Sequence, residues 1–203
     1  LPNLKKLKNK YQLHKVVDNS GYNAQNTAKQ YGFSSYGTKV EEAFINSEVD
    51  AALIATRHNT HGKLTLDFLK AGKHVLVEKP LVLNQKELDS IVEFYKLNEG
   101  DLPIVLTGFN RRFSKYICAI KNEVLERTNP MIINYRMNAG YQPLDLWYHS
   151  EEGGGRNLGE ACHIYDLFTF LTNAKVTNVE AFSIIPETGY YSARDNFTAL
   201  LKF

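Results

Sequence analysis

The sequence predicts an α/β fold in which a doubly wound parallel sheet is followed by an α+β domain with a mainly antiparallel sheet. Short apolar runs alternate with helix-forming segments up to about residue 107, which is typical of a parallel sheet. Later in the chain, strand candidates follow one another without an intervening helix, which favours antiparallel pairing. We therefore expect two domains, residues 1–107 and 108–203.

The first domain is predicted to contain strands separated by helices. The spacing of a capping box occurs at Thr38 and again at Asn84, which predicts a helix start at each position. Gly32 and Gly72 predict helix ends, because glycine adopts the left-handed conformation that closes a helix. The middle strand candidates are continuously apolar, as expected of strands covered on both faces. The strand candidates are residues 11–18, 50–56, 74–78 and 102–109.

The second domain is predicted to mix helices and strands in a less regular order. Helical segments are 113–127 and 158–171, strand candidates are 131–139, 176–185 and 196–203, and a loop covers 140–155. The last strand runs into Phe203, and the first strand of the chain is followed by Asp18, as the second strand of a nucleotide-binding fold would be. We therefore expect the chain to be a fragment of a longer protein.

Charge and hydropathy argue against several classes of function. Lys and Arg number 24 against 22 Asp and Glu, so the net charge of +2 predicts no attraction to nucleic acid or to an anionic membrane. No apolar run approaches the roughly 18 residues that a membrane helix requires. Cys118 and Cys162 lie far apart in apolar surroundings, which favours buried, reduced thiols. These features predict a soluble cytoplasmic protein.

The glycine-rich segment EEGGGRNLGEACHIYDL, residues 151–167, has two interpretations. A loop that cradles dinucleotide phosphates must follow a buried strand and open a helix in a βαβ unit. This segment instead follows a polar loop in the non-parallel half of the chain. We interpret Gly153 to Gly155 as a turn in which the backbone passes close to another group. The helix that follows carries Glu160 and His163, three residues apart, on the same side.

Residues 56–81 resemble the signature of the glucose–fructose oxidoreductase, inositol dehydrogenase and rhizopine catabolism (Gfo/Idh/MocA) family. The matching positions are Thr56, His61, the run Ala71 to Val75, and Glu78-Lys79-Pro80. Residues 108–114 and the glycine-rich segment ending at His163 match two further blocks, in the family's order. The resemblance covers essentially the whole chain. It departs at Gly159, where the family commonly has an aspartate; Glu160 follows this glycine.

The resemblance implies a Rossmann-like dinucleotide-binding domain, here lacking its first strand and its phosphate loop, which would lie upstream of Leu1. It also implies an α+β domain whose open sheet supports substrate binding and a homo-oligomer. The implied cofactor is NAD or NADP. The implied activity is that of an NAD(P)-dependent dehydrogenase, which transfers a hydride to or from a CH–OH group of a sugar, sugar nucleotide or polyol. The chain alone is expected to be inactive.

Three residues are candidates for catalysis. Lys79 ends a buried strand at the carboxyl edge of the parallel sheet, where such folds bind ligands. Lysine can stabilise the oxyanion that develops as a carbinol is oxidised, and a histidine that titrates near neutrality can shuttle the proton. We assign Lys79 to polarisation or proton relay, and His163 to acid–base catalysis and substrate contact. Glu160 either orients His163, binds a substrate hydroxyl or has a structural role. Pro80, whose peptide bond is often cis in the family, restrains Lys79.

The candidate cofactor residues lie after the strands of the first domain. Asp18 is placed to accept hydrogen bonds from the adenosine ribose, and its charge would repel a 2′-phosphate, which favours NAD over NADP. The alternative for Asp18 is a turn aspartate, and helix capping is the alternative for Asn59 and Thr60. The full set is Asp18, Asn19, Thr56, Asn59, His61, Glu78, Lys79 and Pro80.

The candidate substrate residues belong to the second domain. Asn110 and Arg112 begin it, facing the predicted cleft, and could hold sugar hydroxyls or a carboxylate. Tyr141, with Trp147 and His149 in the long loop, forms either a sugar-stacking platform or buried loop packing.

Two alternatives to a dehydrogenase share the same residue pattern. One is a glycosidase or epimerase that cycles a bound NAD, and the other is a ligand-sensing regulator without turnover. No metal site is predicted, because His58 and His61 lack a third and fourth ligand at zinc spacing.

Overall fold

The computed structural model describes residues 1–7 and 9–203. Its helices and strands alternate in the first half of the chain, as predicted. The helices are α1 Pro2–Lys6, α2 Gly21–Tyr31, α3 Glu41–Phe44, α4 His61–Lys70, α5 Gln85–Leu97, α6 Lys115–Val124 and α7 Cys162–Thr172. The strands are β1 Lys15–Val17, β2 Ser35–Gly37, β3 Ala51–Ile54, β4 His74–Val77, β5 Val105–Thr107, β6 Asn178–Ser183 and β7 Phe197–Lys202.

Parallel strands form two sheets in the first half of the chain. Strand β1 pairs with β2, and β3, β4 and β5 pair in that order, all of them parallel. Strands β6 and β7 form an antiparallel pair in the second half. The predicted α/β architecture with a following antiparallel region is therefore confirmed. Strand β2 was not predicted, because three residues, one of them glycine, carry no apolar run.

The main core lies between the three-stranded sheet and the helices α4 and α5. Ile54, Val75 and Val77 point into it from the strands, and Phe68 and Ile91 close it from the helices. The prediction that the strands are covered on both faces is wrong for this sheet. Leu53 is 43% exposed and Leu106 is 55% exposed on its opposite face, because the helices α4 and α5 pack on one face alone.

Helix starts and ends follow the predicted residues in most cases. Asn84 caps α5 by accepting from the Glu87 N–H at 3.0 Å, and Gly32 closes α2 with a φ of +81°. Thr38 does not cap a helix: α3 begins at Glu41 with Val40 before it and no side-chain cap bond. The capping prediction at Thr38 is therefore wrong, because the apolar stripe behind it supports only one turn of helix.

The segment 131–139 is not a strand, contrary to the prediction. Within the described residues it is extended without strand pairing, and Ile132 is 89% exposed. An alternating pattern forms a strand where a neighbouring strand satisfies its backbone groups. Among the described residues, β6 and β7 pair with each other and not with this segment. The division into domains at residue 107 stays a prediction.

Candidate active site

Lys79 lies just after β4, and its peptide bond to Pro80 is cis. The Lys79 ammonium contacts a π-helical turn, Asn157–Ala161, that leads into α7. Lys79 Nζ donates to the Gly159 carbonyl at 2.6 Å and to Glu160 Oε1 at 3.0 Å. The lysine side chain is only 18% exposed, so these two acceptors fix the charge in a largely enclosed place.

His61, the first residue of α4, contacts two neighbouring segments through its ring. Its ring is fully buried, with Nδ1 2.7 Å from the Pro80 carbonyl and Nε2 3.1 Å from the Thr56 carbonyl. Both ring nitrogens therefore face backbone acceptors, and neither is free for a ligand. His61 acts on the site by joining the segment after β3 to the segment after β4, which carries Lys79.

The turn after β3 differs in detail from the predicted capping motif. Thr60 stands at the N-cap of α4, but its side chain makes no cap bond. Its hydroxyl instead contacts the Thr56 hydroxyl at 2.6 Å and the Arg57 carbonyl at 2.8 Å. Asn59 donates its backbone N–H to the Glu152 carbonyl at 3.0 Å. The capping alternative for Asn59 and Thr60 is therefore wrong, and this turn connects to the long loop of the second half.

His163 lies in the first turn of α7 and is buried. Its Nδ1 has no hydrogen-bond partner in the described part of the chain, and its ring packs edge-on against Phe109 with centroids 6.1 Å apart. Burial lowers the pKa of His163, and the charges of Lys79 and Arg111 lower it further, against the opposite effect of Glu160 and Asp166. The imidazole is therefore neutral at pH 7 and able to accept a proton.

Glu160 pairs with cations on two sides. Besides Lys79, its other carboxylate oxygen lies 4.0 Å from Arg111 NH2. No hydrogen bond joins Glu160 to His163 among the described residues. A side chain at the preceding Gly159 would crowd His58, because an added Cβ would lie 3.1 Å from His58 Cε1 and the ring would have to shift by a few tenths of an ångström.

Of the two predicted substrate residues that begin the second half, Arg112 is engaged elsewhere. Its guanidinium forms a two-pronged ion pair with Asp166, with Nε 2.6 Å from Oδ2, and this bond raises the pKa of Arg112. Arg111, which the sequence did not single out, is the arginine near Glu160 and donates to the Tyr135 hydroxyl at 3.0 Å. The sequence does not distinguish the two adjacent arginines, so it does not predict which side chain points toward the site.

Glu78 and Asn110 lie together in a separate cleft of about 230 Å3 on the open face of the sheet. This cleft is bordered by Leu76, Leu106 and Phe109. An added Cβ on Gly108 would come within 2.9 Å of Glu78 Oε2, so the backbone and this carboxylate are in close contact. Glu78 and Asn110 therefore line one cleft, whereas Lys79 lines a different pocket.

The pocket beside Lys79 has a volume of about 280 Å3, and its lining includes several polar side chains. It carries one ion pair, two further basic groups, an amide and two aromatic rings. The residues are Lys79, Glu160, His58, Arg156, Gln142, Trp147 and Tyr148, with Gly155 and Gly159. His58, Arg156 and Gln142 were not predicted, because each is brought to Lys79 by loops that the sequence alone does not fold.

The glycine run forms the turn that the sequence predicted. An added Cβ on Gly153 would lie 2.1 Å from the Tyr148 Cα, so only glycine lets the two backbones meet. Gly154 and Gly155 have φ values of +73° and +86°, which disfavour other residues. Gly155 N–H then donates to the Tyr148 carbonyl at 2.8 Å, and the π-helical turn begins.

Asp18, Asn19 and Tyr141 lie outside the lining of the Lys79 pocket. Asp18 follows β1, and its Oδ1 accepts from the Ser20 N–H at 2.8 Å, as in a turn aspartate. Asn19 is exposed beside it. Tyr141 stacks on Tyr190 with centroids 4.3 Å apart, in an aromatic cluster on the second half of the chain.

The described residues contain neither a cluster of metal ligands nor a membrane-spanning helix. No group of three or more His, Cys, Asp or Glu side chains there could hold a metal ion. Among the helices that the structure describes, none has the length and apolar character needed to cross a membrane.

Residues 1–101 match the model of the GFO_IDH_MocA oxidoreductase family, which is described as having an NAD-binding Rossmann fold. The chain belongs to this family. Its relatives include myo-inositol 2-dehydrogenase of Thermotoga maritima, 31% identical over 169 residues that cover 80% of this chain and 48% of the relative. The NAD-dependent scyllo-inositol 2-dehydrogenase of Bacillus subtilis is 28% identical, over 77% of this chain and 45% of the relative.

Solved structures share the fold of this Gfo/Idh/MocA chain. An NAD-binding protein from Listeria innocua is 25% identical with a TM-score of 0.76, covering 100% of this chain and 60% of that one. Levoglucosan dehydrogenase in complex with NADH and levoglucosan is 19% identical with a TM-score of 0.76, covering 95% of this chain and 55% of that one, and shows the fold alone. The chain spans about half the length of the curated relatives it matches.

Proposed function

We propose that the protein is an NAD-dependent dehydrogenase that oxidises a CH–OH group of a sugar or polyol. One observation carries the proposal. The ammonium of Lys79 lines the pocket and is held by Gly159 and Glu160. Three residues after Glu160 follows the buried His163, whose Nδ1 has no hydrogen-bond partner among the described residues. A cation and a neutral base that act on each other are the pair that carbinol oxidation requires.

The residues present fit a dinucleotide at the carboxyl ends of the strands. Thr56 and Lys79 follow β3 and β4 at the same edge of one parallel sheet, where ligands of such folds bind. Asp18 uses one carboxylate oxygen within its turn, and its other oxygen has no hydrogen bond in the described part of the chain. Asp18, with Asn19, would hold the ribose hydroxyls, which favours NAD over NADP. When bound, the nicotinamide supplies the hydride acceptor.

Lys79 and His163 divide the remaining chemistry between them. An ammonium has three N–H donors. Gly159 and Glu160 accept two of them, which leaves one for the oxygen of the substrate. That hydrogen bond stabilises the negative charge that develops on the oxygen as the C–H bond breaks. Neutral His163 accepts the hydroxyl proton, and its lowered pKa keeps it in the accepting form at pH 7.

The lining of the Lys79 pocket supports a polyhydroxylated substrate. Lys79, His58, Arg156 and Gln142 offer donors and acceptors from several directions. Trp147 adds an apolar face for the C–H side of a sugar ring. Two of the relatives are inositol dehydrogenases, which agrees with such a substrate.

The proposal is tested with the protein expressed from its complete gene. Myo-inositol, scyllo-inositol and a panel of aldoses are incubated with NAD or NADP, and NADH or NADPH formation is followed by absorbance. Net accumulation of NADH with at least one polyol is expected. A product formed without NADH accumulation would indicate the NAD-cycling alternative. Tight NAD binding without turnover of any compound would indicate the sensing regulator.

Assembly through the β6–β7 sheet and a cytoplasmic location stay predictions. Size-exclusion chromatography with light scattering of the same protein tests the first of them.

A further inference from the structure

His58 is a polar residue of the Lys79 pocket to which the proposed reaction assigns no specific contact. It lies in a single 3-10 turn, His58–Thr60, between β3 and α4, and lines the Lys79 pocket. Two contacts fix its ring. Nδ1 lies 2.9 Å from the Gly153 carbonyl, and the ring packs edge-on against Trp147 with centroids 4.9 Å apart.

The Gly153 contact determines which nitrogen of His58 carries the proton. A carbonyl oxygen only accepts, so Nδ1 must be the donor. Burial lowers the pKa of His58, and the charge of Lys79 lowers it too, while the Gly153 bond and Glu160 act in the opposite direction. In the neutral ring with a proton on Nδ1, Nε2 holds a free lone pair. Among the described residues, Nε2 has no hydrogen-bond partner and is not one of the sealed polar atoms.

The position of the ring is tied to the glycine that departs from the family pattern. His58 Cε1 lies 3.1 Å from the place of a Cβ on Gly159. The imidazole therefore occupies the space in which a side chain at position 159 would begin. Gly159 also accepts from Lys79 through its carbonyl, so the ring and the ammonium both lie beside the same residue.

We propose that His58 Nε2 accepts a hydrogen bond from a hydroxyl of the substrate, one that neighbours the oxidised carbon. This inference rests on the proposed function and names how the pocket selects a polyol. Lys79 donates to the oxygen that reacts, and His58 accepts from a second hydroxyl. A substrate with one isolated hydroxyl lacks this contact, whereas a vicinal diol fills both positions.

Two substitutions separate the acceptor from the packing of the ring. The amide nitrogen of asparagine can replace Nδ1, so His58→Asn keeps the bond to Gly153 and removes Nε2. The amide of glutamine reaches the position of Nε2, so His58→Gln keeps a polar group facing the pocket. His74→Asn serves as a control, because His74 is an exposed residue of β4 whose Nδ1 accepts from the Ile104 N–H.

The experiment measures kcat/KM in the protein from its complete gene, for the best polyol and for its monodeoxy analogues. We expect His58→Asn to lower kcat/KM about tenfold or more, the usual size of one lost hydrogen bond in a site, with His58→Gln affected less. In the unsubstituted protein, the deoxy analogue that lacks the hydroxyl bound by His58 should have a lower kcat/KM than the polyol. In His58→Asn the same analogue should show no such loss, because the hydroxyl and its acceptor form one pair. KM should rise more than kcat falls.

The proposal is overturned if His58→Asn has the same kcat/KM as the unsubstituted protein. It is also overturned if every deoxy analogue lowers kcat/KM by the same factor in the two proteins. A protein that turns over no polyol would refute the proposed function instead. Binding then still tests His58: stabilisation by the same polyols, read as a shift in melting temperature, should be smaller in His58→Asn than in His74→Asn. An equal shift in the two variants would overturn the proposal.

Discussion

The ammonium of Lys79 and the carboxylate of Glu160 lie 3.0 Å apart although 81 residues separate them in the chain. This ion pair joins the end of a parallel strand to the turn before α7, and both of its residues line the Lys79 pocket. The pair gives the lysine a fixed position while leaving one donor for a ligand. The predictions for Lys79 and Glu160 depend on this ion pair.

Replacing Lys79 by methionine removes the charge and keeps most of the volume. We expect kcat/KM for polyol oxidation to fall about 100-fold or more, the size observed when one donor to a developing oxyanion is lost. Lys63→Met is the matched control, because Lys63 is an exposed residue of α4 that pairs with Asp67. Equal activity of the two variants would remove Lys79 from the mechanism.

The pH profile should report His163. Because burial lowers its pKa below the ordinary value, the neutral base persists at lower pH, and the acid limb of kcat/KM should lie below about 6.5. Glu160 raises the pKa of His163, so Glu160→Gln should move the acid limb to lower pH. Arg111 lowers this pKa, so Arg111→Gln should move the limb to higher pH. Shifts in the same direction for both variants would contradict the assignment of His163 as base.

Arg112 is expected to contribute to stability more than to substrate binding. Arg112→Met leaves the carboxylate of Asp166, whose side chain is only 6% exposed, without its partner. We expect a loss of about 2 kcal/mol in the free energy of unfolding, reduced from the value for a fully buried pair because Arg112 is partly exposed. Urea denaturation measures it. Lys63→Met, which breaks an exposed pair, should change stability by less than about 0.5 kcal/mol.

Gly153 should tolerate no side chain. Gly153→Ala places a Cβ 2.1 Å from the Tyr148 Cα, so the backbone of the turn must move, at a cost of about 1–3 kcal/mol or more. The turn positions His58, Tyr148 and Gly155, so activity should fall as well. Gly189→Ala is the control, because no atom lies within 4 Å of its added Cβ. Similar melting temperatures for the two variants would refute the close-approach argument.

Asp18 should set the preference between the two dinucleotides. Asp18→Ala removes the charge that repels a 2′-phosphate, so the ratio of kcat/KM for NAD over NADP should fall about tenfold, which is the effect of about 1.4 kcal/mol. Asp101→Ala, which removes an exposed carboxylate after α5, should leave this ratio unchanged. An unaltered ratio in Asp18→Ala would support its interpretation as a turn residue alone.

The sequence by itself determined the parallel α/β layout, the glycine turn and the position of Lys79. These features depend on neighbours in the chain: apolar runs form β3 and β4, Asn84 caps α5, and Gly153 to Gly155 form a turn. Each of these features is determined by residues close together in the chain, through local sterics and hydrophobic burial.

Only the tertiary structure decided which side chains meet. The pairing of Arg112 with Asp166 rather than with a pocket, the choice of Arg111 near Glu160, and the arrival of His58 beside Gly159 depend on how loops far apart in the chain pack. The segment 131–139 shows the same limit, because its alternation could not specify a partner strand. Contacts between distant segments depend on the shape and charge of the whole fold, which local patterns do not encode residue by residue.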